Sequence, residues 1–527
     1  MIIRSPFPDI DIPDVTLTEL LFSGEPSGAP ALIDPEGRIT TRRELDESVR
    51  RIAAGLHGRG IGRGSVVGLF APNSPEWVAA FHGILRANAV VTSANVLYTA
   101  DELAHQLADS GARLLVTTAD LLDVAETAAA KAGIEEVLTL DDAPGRPRLA
   151  TLPGGEPPPL VTGPGDIAVL PYSSGTTGRA KGVVLTHRNL VANVLQFSRM
   201  GRTAPSTVLL AVLPLFHIYG MTVLMNHALH QRVPLVTMPR FDLAGMLHLI
   251  ERHRVTKLYL APPTALLLAK SPLVDGADLS SVELVFSGAA PLDGELARAV
   301  ANRLDCKILQ GYGMTEMSPV SHAIPEDRPD IDPASVGYAL PNVECRLVDS
   351  AGRDADRGEL WVRGPNVMTG YLNNPAATAA TLDADGWLHT GDIATVTADG
   401  VFTIVDRVKE LIKYKGYQVP PAELEALLLT HEGIDDAAVV GVPDEEGEEI
   451  PKAFVVRRPG ARLDAAEVMS YVAARVSPHK KVRRVEFLDA IPKSASGKIL
   501  RAVLRRRPAV QEVPSGTQPG PPGWARS

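Results

Sequence analysis

In the first half of the chain, short apolar runs alternate with longer stretches whose apolar residues recur at helical spacing. Val66–Phe70 is a continuous apolar run, which is typical of a buried strand. Ser74 is suited to cap a helix with Pro75 in its first turn, and the helical spacing continues to residue 89. Residues 90–93 again have the pattern of a strand. Strand, helix and strand in series predict a parallel sheet covered by helices.

Two strand-like runs farther along the chain flank a loop of glycine and hydroxyl residues. They span residues 167–172 and 182–186. Because both flanks have strand character, we predict that this loop forms the tip of a β-hairpin.

The pattern changes twice in the second half of the chain. From residue 336 onward, short β-like runs are broken by Gly, Asp and Pro, which predicts a β-rich subdomain. After Asp406, helical and strand-like segments predict a small α+β unit. We therefore predict a large α/β domain over residues 1–406 with a β-rich part at 336–406, a second domain over 407–507 and a disordered tail over 508–527.

Composition narrows the possible functions. The chain has 527 residues, too many for one core, and its 45% hydrophobic and 22% charged residues are the balance of an ordinary globular protein. A net charge of -10 argues against a broad nucleic-acid surface. The two cysteines, Cys306 and Cys345, make neither a disulfide framework nor a metal cluster. We find no signal-peptide pattern and no apolar run of about 18 residues, so we expect a cytoplasmic protein.

The loop between the two strand-like runs carries the strongest chemical signal. Tyr172–Gly182 reads YSSGTTGRAKG, in which glycines let the backbone approach a ligand, hydroxyls donate to phosphate oxygens and Lys181 supplies a positive charge. The candidate phosphate-binding residues are Ser173, Ser174, Gly175, Thr176, Thr177, Gly178 and Lys181. A flexible hairpin turn is the alternative, but a turn rarely needs four hydroxyls, two glycines and a lysine together. The loop therefore predicts a triphosphate site, although its spacing differs from a Walker A sequence.

With five further motifs, this loop makes the chain resemble the adenylate-forming superfamily of acyl-CoA synthetases, peptide-synthetase adenylation domains and firefly luciferase. The five, in the expected order, are LPLFHIYG (Leu213–Gly220), QGYGMTE (Gln310–Glu316), GWLHTGD (Gly386–Asp392), VDRVKELIKYKGYQV (Val405–Val419) and PKSASGKILR (Pro492–Arg501). The resemblance covers the chain up to about Arg507. The amino-acid sequences of these motifs are most similar to those of 4-coumarate–CoA ligases and their bacterial cinnamate-activating relatives.

The resemblance implies both a fold and a reaction. The fold is a large N-terminal domain of stacked α/β sheets with a β-barrel subdomain, joined by a hinge near Lys409 to a small, mobile α+β lid. In the reaction, a carboxylate first attacks the α-phosphorus of ATP, and the CoA thiol then attacks the acyl-adenylate. Because both reactants of the first step are anions, cations must neutralise and align them. The implied cofactors are ATP, Mg²⁺ and coenzyme A, and we expect no nucleic-acid partner and no stable membrane insertion.

QGYGMTE and GWLHTGD supply the nucleotide residues that the resemblance implies. Tyr312 offers an aromatic face for adenine, Thr315 is expected at the α-phosphate, and Glu316 is expected to hold Mg²⁺, which prefers hard oxygen ligands. Asp392 has two acceptor oxygens suited to the ribose diol, and Arg407 is expected nearby. Gln310 and Gly311 complete the nucleotide set. Taken alone, each motif would equally suit a Gly-rich turn.

Two further segments are expected at the reacting carboxylate. Lys498 would bridge the carboxylate and the α-phosphate, and the alternative is a solvated lysine in a basic tail. His217 would gate the passage between the acyl pocket and the CoA tunnel without proton transfer, although a lone His among apolar residues is more often a core residue. By resemblance the mostly apolar acyl pocket is lined by His217, Tyr219, Ala289, Gly311, Gly313 and Met314.

The second step would use another face of the lid. By resemblance, rotation about Lys409 exchanges the face that carries Lys498 for a face that serves thioester formation. That second face carries Lys413, Lys415, Gly416 and Gln418. The alternation of lysines and apolar residues here would also suit an amphipathic strand. Arg240 stands where relatives use a lysine for CoA phosphate, which keeps the charge but changes the hydrogen-bond geometry.

The motifs leave the acid and the acceptor open. An aryl-propenoic acid is our first choice and a medium-chain fatty acid our second, because Gly288, Ala289 and Ala290 leave room for a flat ring or for a chain. Val223 lies where plant relatives often carry a polar residue, which weakens the case for a hydroxylated ring. The alternatives are an acyl-AMP ligase that loads a carrier protein, a luciferase-like oxygenase, and a non-catalytic acyl or nucleotide sensor. The sensor is disfavoured because Lys181, Glu316, Asp392, Arg407 and Lys498 are all present.

Overall fold

The computed structural model describes residues 1–173, 180–407, 410–414, 417–444, 449–494 and 497–507. Contacts within the chain define two units. The first unit is Met1–Lys409 with Lys493–Lys498, and the second is Glu410–Pro492 with Ile499–Ser527. In the described part of the chain, no helix is long and apolar enough to cross a membrane.

Most of the regular structure belongs to the first unit. Its strands are β1 (Ile3–Arg4), β2 (Pro30–Ile33), β3 (Ile39–Thr41), β4 (Val66–Phe70), β5 (Val90–Ser93), β6 (Ala112–Thr117), β7 (Glu136–Thr139), β8 (Ile167–Val169), β9 (Tyr172–Ser173), β10 (Lys181–Thr186), β11 (Leu209–Ala211), β12 (Leu235–Thr237), β13 (Lys257–Leu260), β14 (Leu284–Ser287), β15 (Lys307–Gly313), β16 (Val320–Ala323), β17 (Tyr338–Ala339), β18 (Glu344–Val348), β19 (Arg357–Arg363), β20 (Gly370–Tyr371), β21 (Leu388–Val396) and β22 (Phe402–Arg407). Its α-helices are α1 (Leu17–Phe22), α2 (Arg42–His57), α3 (Pro75–Arg86), α4 (Ala100–Ser110), α5 (Leu122–Ala132), α6 (His187–Phe197), α7 (His227–Gln231), α8 (Leu243–His253), α9 (Pro262–Lys270), α10 (Gly294–Leu304) and α11 (Pro375–Thr381).

The first sheet contains eight strands in the order β20-β10-β8-β5-β4-β6-β7, with β9 paired to β10. Strands β5, β4, β6 and β7 run parallel, which confirms the prediction from alternating strands and helices. The predicted start of α3 is also confirmed, because the Ser74 hydroxyl accepts a hydrogen bond from the Trp77 N–H and Pro75 lies in the first turn. The flanks of the predicted hairpin pair as expected, with β10 antiparallel to both β8 and β9.

The second sheet contains nine strands in the order β17-β16-β15-β14-β13-β11-β12-β2-β3. Strands β12, β11, β13, β14 and β15 are parallel. Parallel strands are covered on both faces, which requires continuous apolar runs, and Leu258, Leu260 and Val285 are fully buried. The carboxyl ends of β13, β14 and β15 meet at one edge of this sheet. That edge carries the QGYGMTE motif, since β15 leads directly into it.

The β-rich part of the first unit is an antiparallel sheet in the order β1-β18-β19-β21-β22. Among the described residues its two edge strands, β1 and β22, do not pair with each other. The barrel that we expected is therefore an open half-barrel, because the edge strand β1 has only two residues with which to close it. The long strand β21 carries the GWLHTGD motif through the middle of this sheet.

The second unit is a small α+β structure. It contains a hairpin of β23 (Ile412–Tyr414) and β24 (Tyr417–Val419), a sheet of β25 (Ile434–Pro443), β26 (Glu449–Arg457) and β27 (Arg484–Phe487), and the helices α12 (Pro421–Leu429), α13 (Ala465–Ala473) and α14 (Arg501–Arg505). The α/β fold class with a large N-terminal and a small C-terminal part is thus as predicted. The predicted tail, residues 508–527, lies outside the described residues.

Candidate active site

The predicted phosphate loop joins β9 to β10 at the edge of the first sheet. Lys181 and Ser173 are register partners at the base of the loop, and Gly182 pairs with Tyr172. The remaining predicted phosphate-binding residues, Ser174, Gly175, Thr176, Thr177 and Gly178, lie outside the described residues. The structure therefore fixes the two ends of the loop, with a hydroxyl at one end and an ammonium at the other.

Glu316 lies beside these two ends although it follows a strand of the second sheet. It is only 5% exposed, and its Oε1 accepts hydrogen bonds from the Ser173 hydroxyl at 3.0 Å and the Tyr371 hydroxyl at 2.8 Å. The Lys181 Nζ lies 4.8 Å from the centroid of the Tyr371 ring. The phosphate loop and the predicted metal carboxylate therefore converge on one tyrosine, which the motifs did not include.

The donor set at Glu316 fits a magnesium ion that arrives with a nucleotide. In the part of the chain that the structure describes, no group of three or more His, Cys, Asp or Glu residues could hold a metal ion. A single carboxylate suits Mg²⁺, which commonly takes one or two protein carboxylates and completes its octahedron with phosphate oxygens and water.

Tyr312 and Asp392 form a second point of convergence. The Tyr312 hydroxyl donates a hydrogen bond of 2.5 Å to Asp392 Oδ2, which joins the end of β15 to the middle of β21. Asp392 is 6% exposed and is the register partner of Arg407 on β22. The two residues that we assigned to adenine and ribose are thus neighbours. Their ligand roles stay predictions.

Three residues of the QGYGMTE motif have structural tasks that the motif did not reveal. The Gln310 amide donates to the carbonyls of Pro333 and Ser335. A Cβ added to Gly311 would lie 2.6 Å from the Phe286 ring, and one added to Gly313 would lie 2.2 Å from a backbone carbonyl oxygen. Close packing explains both glycines, whether or not they also border the acyl pocket. Thr315 begins the short turn that carries Glu316.

The segment around His217 begins with a loop and continues as a π-helix over Gly220–Asn226. Such helices are rare and are frequent at functional sites. The Tyr219 N–H donates to His217 Nδ1 at 3.2 Å, so the neutral ring carries its proton on Nε2. Burial, and secondarily the charge of Lys498, lowers the pKa of His217 to about 3. The imidazole is therefore neutral near pH 7, and its role as a gate stays a prediction.

Two polar residues that the sequence analysis missed hold the loop in front of His217. The buried Asn73 amide donates to the carbonyls of Ala211 and Leu213 at 3.1 and 2.9 Å, and its oxygen accepts from the Leu215 N–H at 2.8 Å. The Ser93 hydroxyl donates to the Phe216 carbonyl, in the same loop, at 2.8 Å. Both residues lie at the carboxyl ends of parallel strands of the first sheet. Their position after predicted parallel strands could have identified both residues as candidates, because the carboxyl ends of such strands commonly carry functional side chains.

The expected acyl-pocket residues have largely apolar, aromatic surroundings. Tyr219 is buried and its hydroxyl reaches the Phe286 carbonyl at 3.4 Å. A Cβ on Gly288 would lie 3.0 Å from the Tyr219 ring, so this glycine lets the ring approach the backbone. Val223 is fully buried and offers no polar group. Ala289 and Met314 are partly buried against the same core.

The predicted adenylation lysine belongs to the first unit. The Ser494 N–H donates to the Lys498 carbonyl and the Gly497 N–H to the Ser494 carbonyl, each at 2.8 Å. Gly497 has φ +81°, a conformation that favours glycine. These contacts hold the backbone on both sides of Lys498, and its charge is close enough to His217 to lower the pKa of that imidazole.

The residues expected for the second step are only partly described. Lys413 and Gln418 are register partners in the β23–β24 hairpin of the second unit. Lys409, Lys415 and Gly416 lie outside the described residues. Arg240 is exposed just before α8. The hinge and the alternation of lid faces stay predictions.

The chain is similar to known proteins over nearly its whole length. A family model described as AMP-binding enzyme matches residues 22–372, and one described as AMP-binding enzyme C-terminal domain matches residues 423–498. The 4-coumarate–CoA ligase 1 of Petroselinum crispum is 42% identical, with 98% of each chain covered. The 4-coumarate-CoA ligase 1 of Narcissus pseudonarcissus is 41% identical, again with 98% of each chain covered.

Solved structures with similar folds cover almost as much of the chain. ATP-bound MatB from Rhodopseudomonas palustris has a TM-score of 0.85 and 31% identity, covering 94% of this chain and 98% of MatB. A benzoate CoA ligase from Burkholderia xenovorans has a TM-score of 0.84 and 27% identity, covering 93% of this chain and 99% of that ligase. The similarity therefore extends across both units.

Proposed function

We propose, since the chain belongs to the AMP-binding enzyme family, that it is an ATP-dependent ligase which converts an aryl-propenoic acid of the cinnamate or 4-coumarate type to its CoA thioester. In the first step, a carboxylate oxygen bonds to the α-phosphorus of ATP and pyrophosphate leaves. In the second, the CoA sulfur bonds to the acyl carbon, its proton is released and AMP leaves. We place the reaction in the cytoplasm, because a chain of this length with only two cysteines fits a reducing compartment.

The observation that carries this proposal is the convergence of Ser173, Lys181 and Glu316 beside Tyr371 in the first unit. Lys181 supplies positive charge at the base of the phosphate loop, and Glu316 offers a carboxylate to the Mg²⁺ that accompanies ATP. That ion would neutralise phosphate charge. Lys498 would approach the attacking carboxylate and the α-phosphate, where an ammonium stabilises the charge that develops during the attack.

Asp392 and Thr315 would orient the nucleotide during this step. Asp392 is nearly buried and is held by Tyr312, so its carboxylate has a defined position in which to accept from ribose hydroxyls. Thr315 would contact the α-phosphate, and Arg407 would lie near the ribose. A nucleotide held at both ends keeps its α-phosphorus in line with the carboxylate, and such alignment is a large part of the rate in a reaction between two anions.

The second step would use the second unit after a rotation about Lys409. Lys413, Lys415, Gly416 and Gln418 would then meet the acyl-adenylate, and Arg240 would meet CoA phosphate. His217 would separate the acyl pocket from the CoA tunnel as a neutral ring. We place the domain boundary at residues 406–407, with the hinge a few residues later.

The choice of an aryl acid rests on the walls of the expected acyl pocket. Tyr219 and Phe286 provide aromatic surface, and Gly288 allows the Tyr219 ring to lie against the backbone. Aromatic rings attract one another beyond the gain from buried area, by about 0.5–1.5 kcal/mol per pair. Val223 presents no hydrogen-bond partner, so we expect an unsubstituted ring to bind at least as well as a hydroxylated one.

A panel of acids tests the proposal directly. The purified chain is incubated with ATP, Mg²⁺ and CoA together with cinnamate, 4-coumarate, benzoate or octanoate, and the acyl-CoA, AMP and pyrophosphate are quantified. We expect kcat/KM for cinnamate and 4-coumarate to exceed the value for octanoate at least tenfold. A preference for octanoate would instead support a medium-chain ligase. Acyl transfer to a carrier-protein thiol but not to CoA would support a loading enzyme, and the absence of pyrophosphate exchange with every acid would support a sensor.

A further inference from the structure

Tyr371 lies where two parts of the nucleotide site meet, and none of the six motifs contains it. Its hydroxyl donates a 2.8 Å hydrogen bond to Glu316 Oε1. The Lys181 ammonium lies over its ring, 4.8 Å from the centroid. Tyr371 is the register partner of Val183 on β10, so the strand that begins with Lys181 also positions this tyrosine. One side chain therefore contacts both the lysine of the phosphate loop and the carboxylate expected at the metal.

The helix α11 holds the backbone of Tyr371, and Glu316 accepts from its hydroxyl. A hydroxyl has one proton and an ionised carboxylate can only accept, so the Tyr371 proton is directed to Glu316. The Tyr371 N–H donates to the Thr378 hydroxyl at 2.9 Å, which fixes the backbone from the same helix. Burial and the charge of Glu316 raise the pKa of Tyr371, so the hydroxyl remains a donor.

The two carboxylate oxygens of Glu316 differ in the hydrogen bonds that they accept. Oε1 accepts from both Ser173 and Tyr371, whereas Oε2 accepts no hydrogen bond from any described residue. The backbone carbonyl of Glu316 accepts from the Met368 N–H at 2.9 Å, so the main chain is also held. Two donors on one oxygen of a carboxylate restrict its rotation. The second oxygen then keeps a fixed direction.

We propose that Tyr371 is a positioning residue of the nucleotide site. Its hydroxyl, together with Ser173, holds Glu316 by Oε1 and leaves Oε2 to meet the cation of MgATP, while its ring holds the Lys181 ammonium near the phosphates. This inference rests on the proposed function, in which Glu316 binds Mg²⁺. It adds that the position of Glu316 depends on the hydroxyl of Tyr371 and the position of Lys181 on its ring. Substitutions that remove the hydroxyl alone, or the hydroxyl and the ring together, separate these two effects.

The separation uses two substitutions of the same residue. Tyr371→Phe keeps the ring and removes the hydroxyl, whereas Tyr371→Leu removes both. ATP binding to the full chain is measured by titration calorimetry without acid, once with Mg²⁺ and once with EDTA. For Tyr371→Phe we expect wild-type affinity in EDTA and an about tenfold smaller gain on adding Mg²⁺, because a hydrogen bond to a charged group is lost. For Tyr371→Leu we expect an additional loss of about threefold in EDTA, because the cation–π contact is lost.

Two further variants make the comparison decisive. Ser173→Ala removes the other donor to Oε1 and is expected to reduce the Mg²⁺-dependent gain as Tyr371→Phe does. Tyr338→Phe removes a hydroxyl that binds Arg328 elsewhere in the first unit, and it is expected to leave both affinities unchanged. Melting temperatures of all variants are recorded alongside.

Each remaining outcome would overturn the inference. Wild-type binding by Tyr371→Phe in both conditions would show that the hydroxyl does not position Glu316. Equal losses with and without Mg²⁺ would show a general structural role instead. If the wild-type chain bound no ATP at all, the proposed function would fail as well, which distinguishes that failure from the two outcomes above.

Discussion

Two nearly buried glutamates, one in each unit, are held in opposite ways. Glu316 in the first unit is 5% exposed, and both of its side-chain hydrogen bonds come from neutral hydroxyls. Glu425 in the second unit is 8% exposed and accepts two hydrogen bonds from the Arg501 guanidinium, at 2.8 and 2.6 Å. Arg501 also pairs with Glu410 at 3.0 Å. Among the described residues, Glu316 has no salt bridge.

The difference bears on which of the two carboxylates we propose as a ligand site. A cation cancels the charge of a buried carboxylate, and burial raises the pKa of Glu425 while Arg501 opposes that shift. Neutral donors orient a carboxylate but leave its charge, which is costly in a buried position unless a cation arrives. Glu316 therefore has the environment that our proposal requires of a carboxylate that meets a cation, whereas Glu425 holds α12 and α14 together.

The contrast between a group proposed to meet a ligand and a group in a structural ion pair also applies to two cations, Lys498 and Arg501. Lys498 is grouped with the first unit and Arg501 with the second. We expect Lys498→Ala to lower carboxylate-dependent pyrophosphate exchange by about 10²–10³-fold, since it removes charge stabilisation of the attack. Conversion of a supplied acyl-adenylate and CoA to thioester should be retained. Lys493→Ala is the matched control in the same segment, and equal loss of both half-reactions in Lys498→Ala would contradict the division of labour.

Arg501→Met should produce the largest loss of stability. Removing one partner of a buried ion pair leaves an uncompensated charge, which costs about 3–5 kcal/mol. Hydrogen exchange of the β25 and β26 amides reports unfolding of the second unit. Arg475→Met, which alters an exposed arginine of the same unit, should change stability by less than about 0.5 kcal/mol.

The matching change in the first unit is Glu316→Gln. We expect it to change the free energy of unfolding by less than about 1 kcal/mol, since a neutral amide can keep a hydroxyl partner without the cost of a buried charge. Pyrophosphate exchange should nevertheless fall, because the cation of MgATP loses its carboxylate. If Glu316→Gln destabilised the first unit as strongly as Arg501→Met destabilises the second, the comparison of the two glutamates would be wrong.

Asn73→Ala tests neutral hydrogen bonds that hold the backbone in front of His217 rather than a carboxylate. It removes three hydrogen bonds to the loop before His217 and should cost about 2 kcal/mol of stability. Since this loop leads into His217, the gate that we propose, thioester formation should slow more than pyrophosphate exchange. Gln196→Ala removes another buried amide, which donates to the Pro341 carbonyl, and should lower stability without changing the ratio of the two half-reactions.

His82→Phe tests a buried polar side chain that, among the described residues, has neither a charged partner nor a neutral hydrogen-bond partner. Neither ring nitrogen has a hydrogen-bond partner among the described residues, and burial lowers the pKa of His82 to about 3. The unfolded chain binds a proton near pH 6.5 and the folded chain does not. His82 therefore reduces stability as pH falls below about 6.5, by about 1.4 kcal/mol per pH unit.

The substitution should make the loss of stability below pH 6.5 shallower by about that amount while leaving stability at pH 8 nearly unchanged, because Phe can pack against Phe22 and Phe81. Denaturant unfolding between pH 8 and pH 5 measures both quantities. An unchanged slope would show that His82 is charged in the folded chain.

Much of the local structure could be predicted from the sequence, because the signals are local. The apolar run of Val66–Phe70, the Ser74 cap and the strands on both sides of the phosphate loop all appear as expected. The β-rich segment was recognised, but its edge was not, since β1 comes from the opposite end of the chain. The motifs also identified Glu316, Asp392 and Lys498 as candidates for one site.

The sequence by itself determined which groups are available: a hydroxyl-rich loop, two carboxylates, a histidine among apolar residues and a lysine near the end of the second domain. Only the tertiary structure decided how they are held. Tyr371 meets a carboxylate 55 positions away, Tyr312 meets one 80 positions away, and Asn73 reaches a loop 140 positions on. Periodicity and turn chemistry act over a few residues, whereas these contacts form only when separate sheets pack together, so no local pattern could specify them.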